Sequence, residues 1–220
     1  GMAGQIVRSF DLLSYSAEAE LVQAVTKFNP DLVIFGNLHA NHSVPTSVIE
    51  ELSLKFQSLW LTHDYWLFTG RCGYPGDCQK WLTGCGSSCP TSQEYPALDP
   101  QLIEDAWRGK RAILNSDNNL HVVANSDWSK KQFQKGLVRT DSHDKLKSAT
   151  LGVPTWLFEV MDKGAARDSL GIAQDAFVVF FSASSLSDAR KGGRTVAEAL
   201  QQCSIPNLAV LVVGRADQSL

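Results

Sequence analysis

The chain has 220 residues, of which 44% are hydrophobic and 20% charged, and its formal net charge is −3. This composition is typical of a globular protein and excludes a disordered chain. No apolar run approaches the roughly 20 residues that a bilayer span requires. The first residues lack the pattern of a secretory signal, which predicts a cytoplasmic protein whose five cysteines stay reduced.

Helical patterns alternate with short apolar runs along the whole chain. The predicted elements are a helix over 16–28, a strand over 31–36, a helix over 46–57, a strand over 58–62, a helix beginning at Pro100, a strand over 120–124, a helix over 126–137, a short helix ending at Gly171, a strand over 176–183, a helix over 193–203 and a strand over 208–214. Such alternation predicts an α/β fold with a mostly parallel sheet. We expect the first strand to be buried on both faces.

A mixed segment over residues 140–165 reads as loop and marks a domain boundary. We therefore predict a first domain over 1–155 and the beginning of a second over 156–220. Cys203 lies on a helical face in the second domain, and we expect it to be buried and inert.

A loop over residues 70–90 contains four of the five cysteines, with the spacing C-x5-C-x6-C-x3-C, and it is rich in glycine. Four thiolates bind zinc tetrahedrally and leave no position open for a reacting water, so the metal would be structural. Disulfides and free buried thiols are the alternatives. The candidate ligands are Cys72, Cys78, Cys85 and Cys89.

Polar residues follow the predicted strands, at the edge of a parallel sheet where ligands bind. His39 and His42 follow the first strand and are interpreted as loop residues. His63 and Asp64 follow the second, and Asp64 would either orient the His63 imidazole or cap the turn. Three tryptophans are expected to form a local core, with stacking on sugars as the alternative, and they are Trp66, Trp81 and Trp128.

Arg190, Lys191 and Gly192 precede a helix in the second domain. Positive side chains beside free N–H groups at a helix N-terminus suit a diphosphate. A solvated Arg-Lys pair at a helix start is the competing interpretation.

Several stretches, in this order, resemble the retaining glycosyltransferases of the GT-B type, and in particular a bacterial branch with the loop pattern HD-W-FTG-C...C...GCG-CP. They are "THDYWLFTGRC" (62–72), "GCGSSCP" (84–90), "HVVANSDW" (121–128), "LGVPTWLFEV" (151–160) and "FFSASSLSDARKGGRTVAEAL" (180–200). The resemblance covers roughly residues 30–215. It implies two Rossmann-like domains, of which the second is partial here.

The resemblance also implies an activity, namely transfer of a sugar from a nucleotide diphosphate-sugar to an acceptor hydroxyl on a glycan or lipid-linked molecule. It places His63 at the active-site histidine and Lys191 at the donor phosphate. Four features depart from the pattern. The usual first strand is missing, and three residues rather than two separate Cys85 from Cys89. Ser185 replaces an arginine, and Glu198 is the only glutamate in 176–220. We therefore expect a piece of a two-domain enzyme, inactive alone.

A second hypothesis is a non-catalytic, zinc-stabilised binding module. The basic helix over 126–137 would then contact a partner subunit, a glycan or an anionic membrane surface, which would make the protein peripheral to the inner membrane. Nucleic-acid binding is not expected, because the chain is acidic and the cysteine loop carries only Arg71 and Lys80 as cations.

Overall fold

The computed structural model describes residues 15–39, 44–137 and 143–215. The described residues separate into two compact units, one within residues 1–152 and one within 153–220. The α/β class predicted from the sequence is confirmed, since helices alternate with parallel strands in both units.

The first unit contains five described helices and a four-stranded parallel sheet in the order β1-β2-β3-β4. Its elements are α1 (Tyr15–Phe28), β1 (Val33–Phe35), α2 (Thr46–Lys55), β2 (Ser58–Leu61), α3 (Lys80–Thr83), α4 (Ile103–Asn115), β3 (Leu120–Ala124), α5 (Asp127–Gly136) and β4 (Leu146–Ser148). Ser126 begins α5 as predicted, because its hydroxyl accepts a hydrogen bond from the backbone N–H of Ser129.

One row of side chains crosses all four strands and forms the centre of the core. Phe35 pairs with Trp60, Trp60 with Val122, and Val122 with Leu146, and all four are buried. Apolar residues of α1, α2, α4 and α5 pack into the same cluster. Each strand lies beside the next one along the chain. Right-handed connections between such strands place the connecting helices on the same face of the sheet, so the helices and that face share one core.

The opposite face of the sheet is less covered, and this corrects the prediction that β1 is buried on both faces. Ile34 lies on that face and is 57% exposed, and its neighbours Leu59 and His121 are only partly buried. The alternation of buried and half-buried residues along β2 and β3 follows from the same arrangement.

The segment 140–165, predicted to be loop, contains a strand. Leu146–Ser148 pairs with β3 and contributes the buried Leu146 to the core. A three-residue strand with alternating burial leaves too short an apolar pattern to be recognised. The helix predicted to begin at Pro100 starts as a 3-10 turn over Pro100–Leu102, in which Leu102 is exposed, and α4 follows it.

The second unit consists of α6 (Lys163–Ser169), β5 (Phe177–Ser185), α7 (Gly193–Gln202) and β6 (Leu208–Arg215). β5 and β6 form a parallel pair joined through α7. Arg167 of α6 donates hydrogen bonds to the carbonyls of Ala173, Gln174 and Ala176 and so fixes the turn that enters β5. The prediction that Cys203 is buried was wrong, since the residue after α7 is exposed.

Candidate functional site

The loops that follow β1 and β2 meet at the carboxyl edge of the sheet. His39 Nε2 lies 2.6 Å from Asp64 Oδ2, and the imidazole is 6% exposed. The second carboxylate oxygen of Asp64 accepts a hydrogen bond from the backbone N–H of Trp66 at 2.9 Å. Both carboxylate oxygens of Asp64 therefore form hydrogen bonds, one to the loop after β1 and one within its own turn.

His39 is enclosed by aromatic rings. Its ring centroid lies 5.8 Å from that of Trp66 and 5.7 Å from that of Tyr95, whose hydroxyl donates to the His39 carbonyl. The Asp64 carboxylate accepts at Nε2, so this ring nitrogen carries a hydrogen. Within the described residues, Nδ1 has no hydrogen-bond partner. His39 was interpreted as a loop residue from sequence, and the structure shows it as a buried anchor.

His63 is exposed at the end of β2, beside this anchor. The sequence suggested that Asp64 either orients the His63 imidazole or caps the turn. In the structure its carboxylate contacts His39 instead of His63. The second, capping of the turn, matches its bond to Trp66. His42 lies outside the described residues.

Lys110 is the residue that sequence reasoning missed most clearly. Its side chain is 1% exposed, and its ammonium donates to the carbonyls of Trp66 at 2.8 Å and Gly70 at 3.2 Å. The same ammonium lies 3.9 Å from the centroid of the Trp66 ring. Burial lowers the pKa of Lys110 to about 7. Nearby Cys85, Cys72 and Asp64 act in the opposite direction and raise this pKa, but their effect is smaller.

The cysteine loop is built around aromatic residues rather than aliphatic ones. A 3-10 turn over Trp66–Phe68 is buried, and Trp81 of α3 is buried beside it, which confirms the prediction of a local aromatic core for these two tryptophans. Thr69 donates to the carbonyl of Cys72 and Trp107 donates to that of Trp81. Trp128, by contrast, is 63% exposed on α5, so the prediction was wrong for that residue.

All four cysteines of the loop line one small cavity and all are free thiols. The space between them is about 20 Å³, which holds about one water molecule or ion. Burial raises the pKa of the Cys72 and Cys85 thiols. Among the described residues, no three potential ligands are already positioned around a metal ion. The predicted zinc ligands thus share a cavity without forming a closed coordination sphere.

Arg71 forms another wall of this cavity. Its guanidinium is buried and donates to the carbonyls of Pro96 and Glu94 and towards the Thr91 hydroxyl. These bonds tie the start of the cysteine loop to the segment that follows it.

In the second unit, the three residues predicted for phosphate binding lie together before α7. Arg190 and Asp188 form a bidentate ion pair. Arg190 Nη2 lies 2.6 Å from Asp188 Oδ2 and Nε lies 3.2 Å from Oδ1, and these bonds lower the pKa of the Asp188 carboxyl. Lys191 is exposed. Gly192 caps α7 with φ of 75°, a left-handed conformation that favours glycine.

The comparisons with known proteins bear on the first hypothesis. No known protein family profile matches the chain. A stretch of 56 residues, 26% of the chain, is 38% identical to WcaC of Escherichia coli (strain K12), which carries the provisional name of a colanic acid biosynthesis glycosyl transferase. This similarity supports a glycosyltransferase. The matched stretch covers 14% of the length of that relative.

None of the helices in the described ranges is long and apolar enough to cross a membrane.

Proposed function

We propose that the chain acts in retaining transfer of a sugar from a nucleotide diphosphate-sugar donor to an acceptor hydroxyl, on a fold of the GT-B type. The observation that carries this proposal is the similarity over 56 residues to a named glycosyl transferase. The parallel α/β organisation of both units is consistent with it, because nucleotides bind at the carboxyl edges of such sheets.

In the first unit, His63 would contact the transferred sugar. Retaining transfer develops positive charge on the sugar ring and negative charge on the leaving phosphate, so a positioned hydrogen-bonding group stabilises the geometry of transfer. His63 is exposed and follows directly after β2. Asp64 is anchored at both oxygens and would hold this loop rather than touch the substrate.

In the second unit, Lys191 and the free N–H groups at the start of α7 would contact the donor diphosphate. The Arg190 guanidinium, held by Asp188, would supply a second positive group. Each hydrogen bond to a charged group contributes about 1.5 to 3 kcal/mol, so two give at most about 6 kcal/mol before the cost of association. We therefore expect millimolar rather than micromolar donor affinity.

Ligand-observed NMR at millimolar concentrations tests the donor part of the proposal. Uridine, guanosine and adenosine diphosphate sugars are compared, and one of them should show binding that Lys191→Ala abolishes. Arg194→Ala is the matched control, because Arg194 is an exposed cation near the start of α7 that pairs with Glu198. Binding of no donor, or equal loss in both variants, would contradict the proposed role of Lys191.

A second candidate function is contact with an anionic membrane surface or partner through α5. Trp128 is exposed on this helix, and Lys131 and Lys135 are exposed further along it. An exposed aromatic residue beside lysines suits the boundary between water and lipid headgroups. Sedimentation with anionic vesicles should show binding that the double change Lys131→Glu and Lys135→Glu weakens, while Lys55→Glu on α2 leaves it unchanged.

A further inference from the structure

The four thiols of the cysteine loop converge from separate stretches of chain. Cys72 follows the 3-10 turn, Cys78 precedes α3, and Cys85 and Cys89 follow it. All four line one cavity whose remaining walls include Trp81 and Ile103, both buried. The loop therefore presents four sulfur atoms to a space that has room for about one ion.

Two buried cations border these thiols. Arg71 is 2% exposed and lines the cavity, and Lys110 lies beneath the loop, with its ammonium bonded to the Gly70 carbonyl. The side-chain bonds of both cations go to carbonyl or hydroxyl oxygens and to a ring face. Over the ranges that the structure describes, neither has a carboxylate at ion-pair distance, so their charges are not neutralised by a hydrogen-bonded partner.

A buried charge without a counter-charge is unfavourable in a protein interior. Arg71 and Lys110 are two such buried cations, and Asp64 favours the charged form of Lys110 only through space. Neutral thiols do not offset them. Four thiolates around a divalent cation carry a formal charge of −2, which equals the combined charge of Arg71 and Lys110 with opposite sign.

We propose that this cavity is a structural zinc site, with Cys72, Cys78, Cys85 and Cys89 as ligands and with Arg71 and Lys110 as the buried cations that balance the zinc-tetrathiolate charge. Zinc is the metal that four thiolates select in tetrahedral sites. Binding converts four thiols to thiolates and releases their protons to water. The site does not depend on the proposed sugar transfer.

Binding requires the four sulfurs to move inward, since no three described ligands are yet grouped around a metal position. The backbone around them can accommodate this. Gly84 and Gly86 flank Cys85, and Gly73 follows Cys72. A complete set of four thiolates leaves no coordination position for a reacting water.

The first experiment measures metal in the protein as purified without chelator. Elemental analysis should find about one zinc per chain. Replacement by cobalt(II) should give the visible bands of tetrahedral thiolate coordination. Cys85→Ser should lose both signals. Cys203→Ser is the matched control and should retain them, because Cys203 is exposed in the other unit.

The second experiment tests the charge balance. Lys110→Met should lower the affinity for zinc by about tenfold or more, as measured by competition with a chromophoric chelator, because outer partners of a metal site typically contribute this much. Lys80→Met is the control, since Lys80 lies on the same loop but its ammonium is bonded to Ser88. Both measurements are interpreted for variants that retain the far-ultraviolet spectrum of the unaltered protein.

Three results would overturn the proposal. The first is the absence of both zinc and cobalt signals in the unaltered protein. The second is mass spectrometry showing the four cysteines oxidised in pairs in metal-free protein. The third is zinc affinity that is unchanged by Lys110→Met, which would remove the charge balance from the proposal.

Discussion

The carboxylate of Asp64 lies 2.6 Å from the imidazole of His39, although 25 positions separate the two residues in the chain. The pair joins the loops that leave two neighbouring parallel strands, at the edge where ligand sites form in such sheets. A charge-assisted bond of this length fixes the His39 ring and holds the backbone next to His63. The pair therefore links the fold of the first unit to its candidate site.

Asp64→Asn should destabilise the protein by about 1–3 kcal/mol, because it removes the charge from a largely buried hydrogen bond. Urea unfolding at neutral pH measures the effect. Asp77→Asn, at an exposed position of the cysteine loop, should leave the free energy of unfolding almost unchanged. Equal effects of the two changes would show that the His39–Asp64 contact contributes little.

The stability of the metal-free protein should rise with pH because of Lys110. Its pKa in the folded state is about 7, against an ordinary value of 10.5, so above pH 7 the unfolded chain binds more protons than the folded one. The free energy of unfolding then increases from about pH 7 towards 10.5. In Lys110→Met this increase is absent. Urea unfolding of both proteins between about pH 6 and 9 measures the difference, and parallel profiles would contradict it.

Gly70→Ala should destabilise the first unit by about 1–3 kcal/mol, because the added methyl group overpacks the site. It would lie 2.5 Å from Ile103 Cγ2 and 2.8 Å from Cys85 Cβ. Gly86→Ala is the control, since its nearest neighbour outside the adjacent residues is 3.9 Å away on Glu104. Thermal unfolding compares the two variants. A stable Gly70→Ala protein would mean that α4 and the cysteine loop separate easily.

Phe133→Ala should cost about 3–5 kcal/mol through loss of buried area and formation of a cavity. The Phe133 ring stacks on Phe68 at 4.3 Å and meets the edge of Tyr65 at 5.0 Å, so it joins α5 to the turn that begins the cysteine loop. Trp128→Ala removes an exposed side chain from the same helix and should have little effect on unfolding by urea. A similar loss in both variants would contradict the packing role of Phe133.

The larger elements could be predicted because their patterns are long. The helix that includes Phe28 and the strand over Leu120–Ala124 both match the sequence interpretation closely. The strand at Leu146 could not be predicted, since three residues carry too little periodicity and its position depends on pairing with β3. Intrinsic strand propensity is a weak guide for such a short strand, because its stability comes from packing against neighbouring strands.

The candidate site was less predictable than the fold, because burial of polar groups depends on tertiary contacts. His39 was interpreted as a loop residue, and Lys110 was not recognised as a candidate from sequence. A signal for Lys110 exists nonetheless, since it continues the helical stripe of Ile103, Trp107 and Leu114 at intervals of three and four residues. The partner of His39 could not be identified from sequence, because Asp64 also stands beside His63.

The sheet of the first unit has its strands in chain order, and this arrangement bears on how it forms. Each strand pairs with the one made just before it, so during synthesis its partner has already emerged. The longest connection runs from Leu61 to Leu120 and contains all four clustered cysteines. Closing a segment costs about 0.6 kcal/mol more for each doubling of its length. A metal cross-link formed early in this segment would shorten the free chain and ease the pairing of β3 with β2.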